Sequence, residues 1–174
     1  RENAGELLLG ICMFRLPTAE DRMILSPVEI AAALADTETK PSTAISIETV
    51  GDRRFAVRAE NTGNASSTIG DGAMTVDIDL PEQGLNSVSD LVGFTSYESL
   101  CWNHESLEPC SILRARVLRL SAASWRPGEY ASAALKFESK PPPHFRTTFT
   151  MKIDDGRVDQ SKPTLPLENR DDEN

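Results

Sequence analysis

Residues 74–81, MTVDIDLP, decide the fold: Met74, Val76, Ile78 and Leu80 are apolar, Thr75, Asp77 and Asp79 between them are polar, and Pro81 closes the run. Successive side chains of a β-strand point to opposite faces, so a period of two reads as a strand with one oily and one wet side. Outward from this segment the pattern recurs in both directions. Upstream, Ile45 and Ile47 alternate with Ser46 and Glu48. After the Gly51-Asp52 turn, Phe55, Val57 and Ala59 alternate with Ala56, Arg58 and Glu60. Downstream, a strand is predicted near Val92 to Tyr97. Leu113, Ala115 and Val117 then hold one phase and Leu118 and Leu120 the other, which predicts a bulge near Val117. Ala131, Ala133, Leu135 and Phe137 form a further strand, and Phe145, Thr147, Phe149, Met151 and Ile153 the last, with Pro127-Gly128 and Pro141 to Pro143 as turns and connections.

Short strands separated by turn residues over 43–155 predict a mainly β chain: an antiparallel, immunoglobulin-like β-sandwich of about seven strands with an N-terminal strand-helix segment. The outward Arg54 and Arg58 are expected to face Asp77 and Asp79 across a sheet. Residues 1–38 read differently. Glu6 to Leu16, ELLLGICMFRL, is the near-continuous apolar run of a strand buried on both faces. Ser26-Pro27-Val28-Glu29 then supplies a capping hydroxyl, a proline at the first helical position and a glutamate at the third, which is a capping box opening a helix. One strand-helix unit cannot cover such a strand, so this segment reads as the remnant of a truncated α/β, barrel-like domain. Residues 39–42 are the linker, and residues 156–174 an acidic tail with little to bury, expected to be disordered.

Composition narrows the partners. With 27 acidic and 18 basic side chains among 174 residues, the net charge of −9 opposes binding to nucleic acid, whose phosphates are held by clustered Lys and Arg. The longest apolar run, Leu7 to Phe14, falls short of the roughly 18–20 residues that span a bilayer. A chain that opens on Arg1 with no signal pattern ahead of its structure reads as cut or processed.

Residues 55–85, FAVRAENTGNASSTIGDGAMTVDIDLPEQGL, place an Asn61-Thr62-Gly63 turn after one strand and Leu80-Pro81 before Gly84-Leu85 after the next, and Pro127-Gly128-Glu129 marks a later turn. In this the chain resembles the repeated extracellular β-sandwich domains of bacteria over about two-thirds of its length. The resemblance implies a spacer, adhesive module or accessory domain beside an enzyme, with no shared catalytic residues. The front segment, GELLLGICMFRLP with a polar loop and a short helix, resembles the final strand-helix unit of a glycoside-hydrolase-like barrel. That likeness implies that Arg15, Glu20 and Asp21 lie nearest a site at the catalytic face of such a barrel. Glu20 and Asp21 are adjacent, however, whereas glycoside hydrolysis separates its two carboxyl groups by about 5–10 Å, so a solvated acidic loop is the competing reading.

Cys101 and Cys110 bracket the loop-like CWNHESLEPC and suit a disulfide closing a hairpin, worth about 2–3 kcal/mol in an oxidising compartment. The alternatives are unpaired thiols, or a zinc site completed by His104 with Glu105 or Glu108, which lacks paired CxxC knuckles. Cys12 reads as a buried free thiol and His144 as a surface residue. Trp102 and Trp125, with Tyr97 and Tyr130, are the candidate ligand-binding aromatics, because a flat ring can pack on a sugar; core packing competes for them. Asp71, Asp77 and Asp79 offer calcium oxygens without a loop of alternating ligands, and Arg114, Arg116 and Arg119 form a local basic stripe. No metal, cofactor or catalytic set is assigned.

The expected function is a non-catalytic accessory or interaction module of an exported or surface bacterial protein, placed outside the cytoplasm by fold type and the cysteine pair. Its partners would be a neighbouring domain of the same parent protein and a protein or a carbohydrate. The alternatives are the C-terminal part of a barrel enzyme, glycoside-hydrolase-like, with this sandwich as accessory, and a carbohydrate-binding module.

Overall fold

The computed structural model describes residues 25–82, 84–140 and 145–153, together with the backbone of two short strands at 158–160 and 166–167. The strands, in chain order, are β1 (Thr43–Gly51), β2 (Arg54–Asn61), β3 (Met74–Asp79), β4 (Leu85–Val92), β5 (Ser96–Asn103), β6 (Ser106–Pro109), β7 (Val117–Ala122), β8 (Tyr130–Phe137), β9 (Thr147–Lys152), β10 (Val158–Gln160) and β11 (Pro166–Leu167), preceded by one helix, α1 (Pro27–Leu34). They form a mainly β sandwich of two sheets, ordered β11-β1-β2-β8-β4 and β10-β9-β3-β7-β5-β6. Every pairing is antiparallel except that of β1 with β11, which is parallel.

The alternation in the sequence maps directly onto this core. Met74, Val76 and Ile78 of β3, Phe55, Val57 and Ala59 of β2, Ala131, Ala133, Leu135 and Phe137 of β8, and Phe149 and Met151 of β9 are all buried between the sheets. Each large side chain so removed from water contributes roughly 1.5–3 kcal/mol. Phe55, Phe137 and Phe145 meet with ring centroids 5.1–5.8 Å apart, two of the three pairs edge-on, the arrangement that the ring quadrupoles favour.

Several expectations are corrected. The stretch near Val92 to Tyr97 is not one strand: Val92 ends β4, Ser96 and Tyr97 begin β5, and Gly93, at φ +74°, turns the chain between them. A Cβ on Gly93 would lie 2.6 Å from the carbonyl oxygen of Tyr130, so the turn needs glycine for space as well as for conformation. Ile112–Arg114 is a single 3₁₀ turn, which leaves Leu113 exposed; β7 pairs in unbroken register with β3 and β5, so no bulge forms near Val117, and Val117 and Leu118 are both buried, on opposite faces of the strand. Arg54 and Arg58 do not face Asp77 and Asp79, because β2 and β3 belong to different sheets. Arg58 instead lies 3.5 Å from Glu60 and over the ring of Tyr130, and Asp77 pairs with Arg119. Alternation states which face a residue is on and leaves the partner strand open.

The capping box forms as read. The Glu29 N–H donates to Ser26 Oγ at 3.3 Å and the Ser26 N–H to the Glu29 carboxylate at 2.8 Å. The other oxygen of Glu29 accepts the Ser66 N–H at 3.1 Å, tying the helix to the β2–β3 connection. Burial raises the Glu29 pKa, but the hydrogen bonds from Ser26 and Ser66 outweigh it and hold the carboxyl below its ordinary value. The apolar run before the helix lies outside the described residues. Within the segment expected to be a tail, β10 pairs with β9 and β11 with β1.

The Asn-Thr-Gly turn that carries the family resemblance is a structural device. Asn61 is buried; its side-chain oxygen accepts the Gly63 N–H and its amide donates to the Ala65 carbonyl, both at 3.0 Å. Its backbone N–H and carbonyl bond to Glu129 and Gly128, so one residue pins the β2–β3 turn to the Pro127-Gly128 turn. Gly63 lets the linker pass: a Cβ there would fall 2.5 Å from the Ser42 nitrogen.

Candidate functional site

The register of the six-stranded sheet assembles a surface that the linear sequence does not show. Directly paired residues of an antiparallel ladder share a face. The face turned away from the core therefore carries a row of hydroxyls, Thr150-Thr75-Ser121-Ser96, running across β9, β3, β7 and β5. Beside it runs a second row, Thr148-Asp77-Arg119-Glu98, and beyond that Asp79-Val117-Leu100-Pro109. The last pair, Trp102 opposite Leu107, belongs to the β5–β6 hairpin. From hydroxyls through charges to apolar groups, the face is graded along the strand direction.

Within the charged row, Asp77 and Arg119 hold one another. Arg119 donates from Nε and Nη2 to the two carboxylate oxygens of Asp77, both at 2.8 Å, in the bidentate geometry that makes such pairs strong and directional. The hydrogen bonds to Asp77 raise the Arg119 pKa; partial burial opposes them, and the charges of Asp77 and Glu98 add to the rise. Around this pair lies an open groove of about 550 Å³, whose lining includes Asp71, Thr75, Glu98, Ser121, Thr150 and Lys152.

The hairpin at the other end of the face is braced covalently. Cys101 and Cys110 form a disulfide with Cα atoms 5.8 Å apart, which excludes the zinc alternative because oxidised sulfurs are not thiolate ligands. Among the described residues no group of three or more His, Cys, Asp or Glu is placed to hold a metal ion. At the tip, His104 adopts φ +53°, the Asn103 amide donates to Glu108 at 2.9 Å, and the Ser106 hydroxyl donates to the Asn103 carbonyl at 3.0 Å. Trp102 stands out from this frame with 59% of its surface exposed, while Leu100 and Val117 nearby on the same face are buried.

The two tryptophans do not meet. Trp125 is 1% exposed; its backbone N–H donates to Ser67 Oγ at 2.8 Å, its carbonyl accepts the Ser67 N–H at 2.8 Å, and its indole N–H points to the Thr43 hydroxyl at 3.4 Å. Its ring is part of the core, and the residue also borders a cleft of about 480 Å³ that opens between Val92, Gly93 and Tyr130. Tyr97 and Tyr130 are exposed, on different sheets. Arg15, Glu20, Asp21, Cys12 and His144 lie outside the described residues. Of the basic stripe, Arg114 lies in the 3₁₀ turn, Arg116 is exposed just before β7, and Arg119 on β7 is paired with Asp77. The groove residues Asp77, Arg119 and Glu98 were missed as a group because they come from three strands; the wet positions of those strands were the available signal.

No protein-family model matches the chain, and no curated protein matches it. Among solved structures, one similar fold is part of the GH20 exo-β-N-acetylglucosaminidase of Vibrio harveyi, in a complex with N-acetylglucosamine. The TM-score is 0.43 at 10% identity, covering 75% of this chain and 19% of that one. The chain thus spans about a fifth of that structure's length. No helix among the described residues is long and apolar enough to cross a membrane.

Proposed function

We propose that the chain is a non-catalytic, immunoglobulin-like interaction module of an exported or surface protein, and that it meets its partner through the outer face of the six-stranded sheet. The observation that carries this reading is Trp102. Its flat ring, 59% exposed, stands on a hairpin fixed by a disulfide, on the same face as an open polar groove, where it can pack against a partner. The disulfide supports an oxidising, extracytoplasmic setting. The test is retention of the chain on envelope material of the cells that make it. Trp102→Ala should weaken retention strongly, and Glu48→Ser, on the outer face of the other sheet, should leave it intact. Equal retention of all three proteins would overturn the proposal.

A second reading, that the module follows a barrel enzyme in a longer protein, has an observation of its own. None of the residues of α1 is buried, and Val28 and Leu34, with Leu25 just before, are exposed apolar groups of the kind a helix turns toward a neighbour. Repeated strand-helix units immediately upstream in the parent gene would support this reading. A signal peptide or another sandwich repeat there would end it.

A further inference from the structure

We propose that the ligand of this face is a neutral oligosaccharide with vicinal hydroxyls, bound in the Asp77–Arg119 groove with Trp102 stacking on a ring further along the chain; this rests on the reading of the face as the module's binding surface. Three features point to that chemistry. The first is the mix of groups. A sugar hydroxyl both donates and accepts, and the groove offers fixed donors in Arg119 and Lys152, fixed acceptors in Asp71 and Glu98, and hydroxyls that do either in Thr75, Ser96, Ser121 and Thr150. The Asp77–Arg119 pair is planar and already oriented, so neighbouring hydroxyls can bridge it without the protein losing further freedom.

The second feature is charge. Three carboxylates, Asp71, Asp77 and Glu98, face two cations, Arg119 and Lys152, in the groove, and the chain carries −9. This repels sulfated or phosphorylated polymers and leaves nothing to select for them. The third is extent. Four strands at about 4.8 Å spacing make the hydroxyl row about 14 Å long, and Trp102 lies four residues beyond Glu98, about 13 Å, with its side chain on the same face. A compact metabolite cannot touch both. An extended chain with polar edges and apolar C–H faces can, the edges meeting the groove and one face meeting the indole.

The experiment uses the full chain and envelope material offered in three forms: untreated, oxidised with periodate, which cleaves vicinal diols, and stripped with protease. Retention should survive protease and be lost on periodate treatment. Trp102→Ala, and separately Thr75→Val with Ser121→Ala, should each weaken it by about tenfold or more, the first through loss of stacking and the second through loss of hydrogen bonds. Val is a good strand former and Ala is small, and a thermal melt close to that of the unmodified chain shows that the fold is kept. Retention that depends on Trp102 but resists periodate and is destroyed by protease would overturn the sugar and leave the binding face standing. Absence of retention, or retention indifferent to Trp102, would overturn both.

Discussion

Trp125 and Trp102 are the same residue type in opposite circumstances. Trp125 fills the core, and its backbone is bonded to Ser67 on both sides; Trp102 stands on the surface, and what is rigid there is the hairpin beneath it. One ring stabilises the fold, whereas the other is stabilised by the fold, and the two should separate cleanly in experiment. Trp125→Ala should cost about 3–5 kcal/mol in chemical denaturation, the usual loss when a large buried ring leaves a cavity; a loss below about 1 kcal/mol would mean that its corner is not part of the core. Replacing both Cys101 and Cys110 by serine should cost about 2–3 kcal/mol, mainly by freeing the unfolded chain. It should also loosen the hairpin, which hydrogen exchange at Asn103 and Ser106 would register. Trp102→Ala should change stability by no more than about 0.5 kcal/mol while weakening the proposed binding. A large drop in melting temperature would instead make Trp102 structural.

The helix attachment gives a contrast in pH. The Glu29 pKa in the folded chain lies below the ordinary 4.5 that it has when unfolded, so its hydrogen bonds contribute fully above pH 4.5 and are lost as pH falls through the lower, folded value. Glu29→Gln should therefore flatten the acid limb of the stability curve below that pH. A limb identical to that of the unmodified chain would show that the carboxylate does not hold the helix to the β2–β3 connection.

How much of this was legible in the sequence follows from where water is. Strands with one dry and one wet side, β2, β3, β8 and β9, announce themselves through Phe55-Val57-Ala59 or Met74-Val76-Ile78. β4 is an edge strand exposed along most of its length, so Asn86 to Val92 shows no usable period. The β5–β6 hairpin is similar: Trp102 and Leu107 are outward, and their hydrophobicity does not mark the core. The capping box was readable because it is local, four residues acting on one another. The Asp77–Arg119 row was not, since it depends on which strands become neighbours, a choice made by the whole sandwich.

The parallel pairing of β11 with β1 has a mechanical consequence. Chain running in at residue 43 and out at residue 167 leaves this edge of the sheet in opposite directions, so tension between the two points slides β1 along β11 and loads both registered pairs, Ile47 with Pro166 and Glu48 with Leu167, together. Antiparallel neighbours pulled from one end peel apart bond by bond. A chain clipped this way carries tension in shear across both pairs at once. Single-molecule pulling on the chain with and without residues 161–174 would register the clip as a fall in rupture force on truncation.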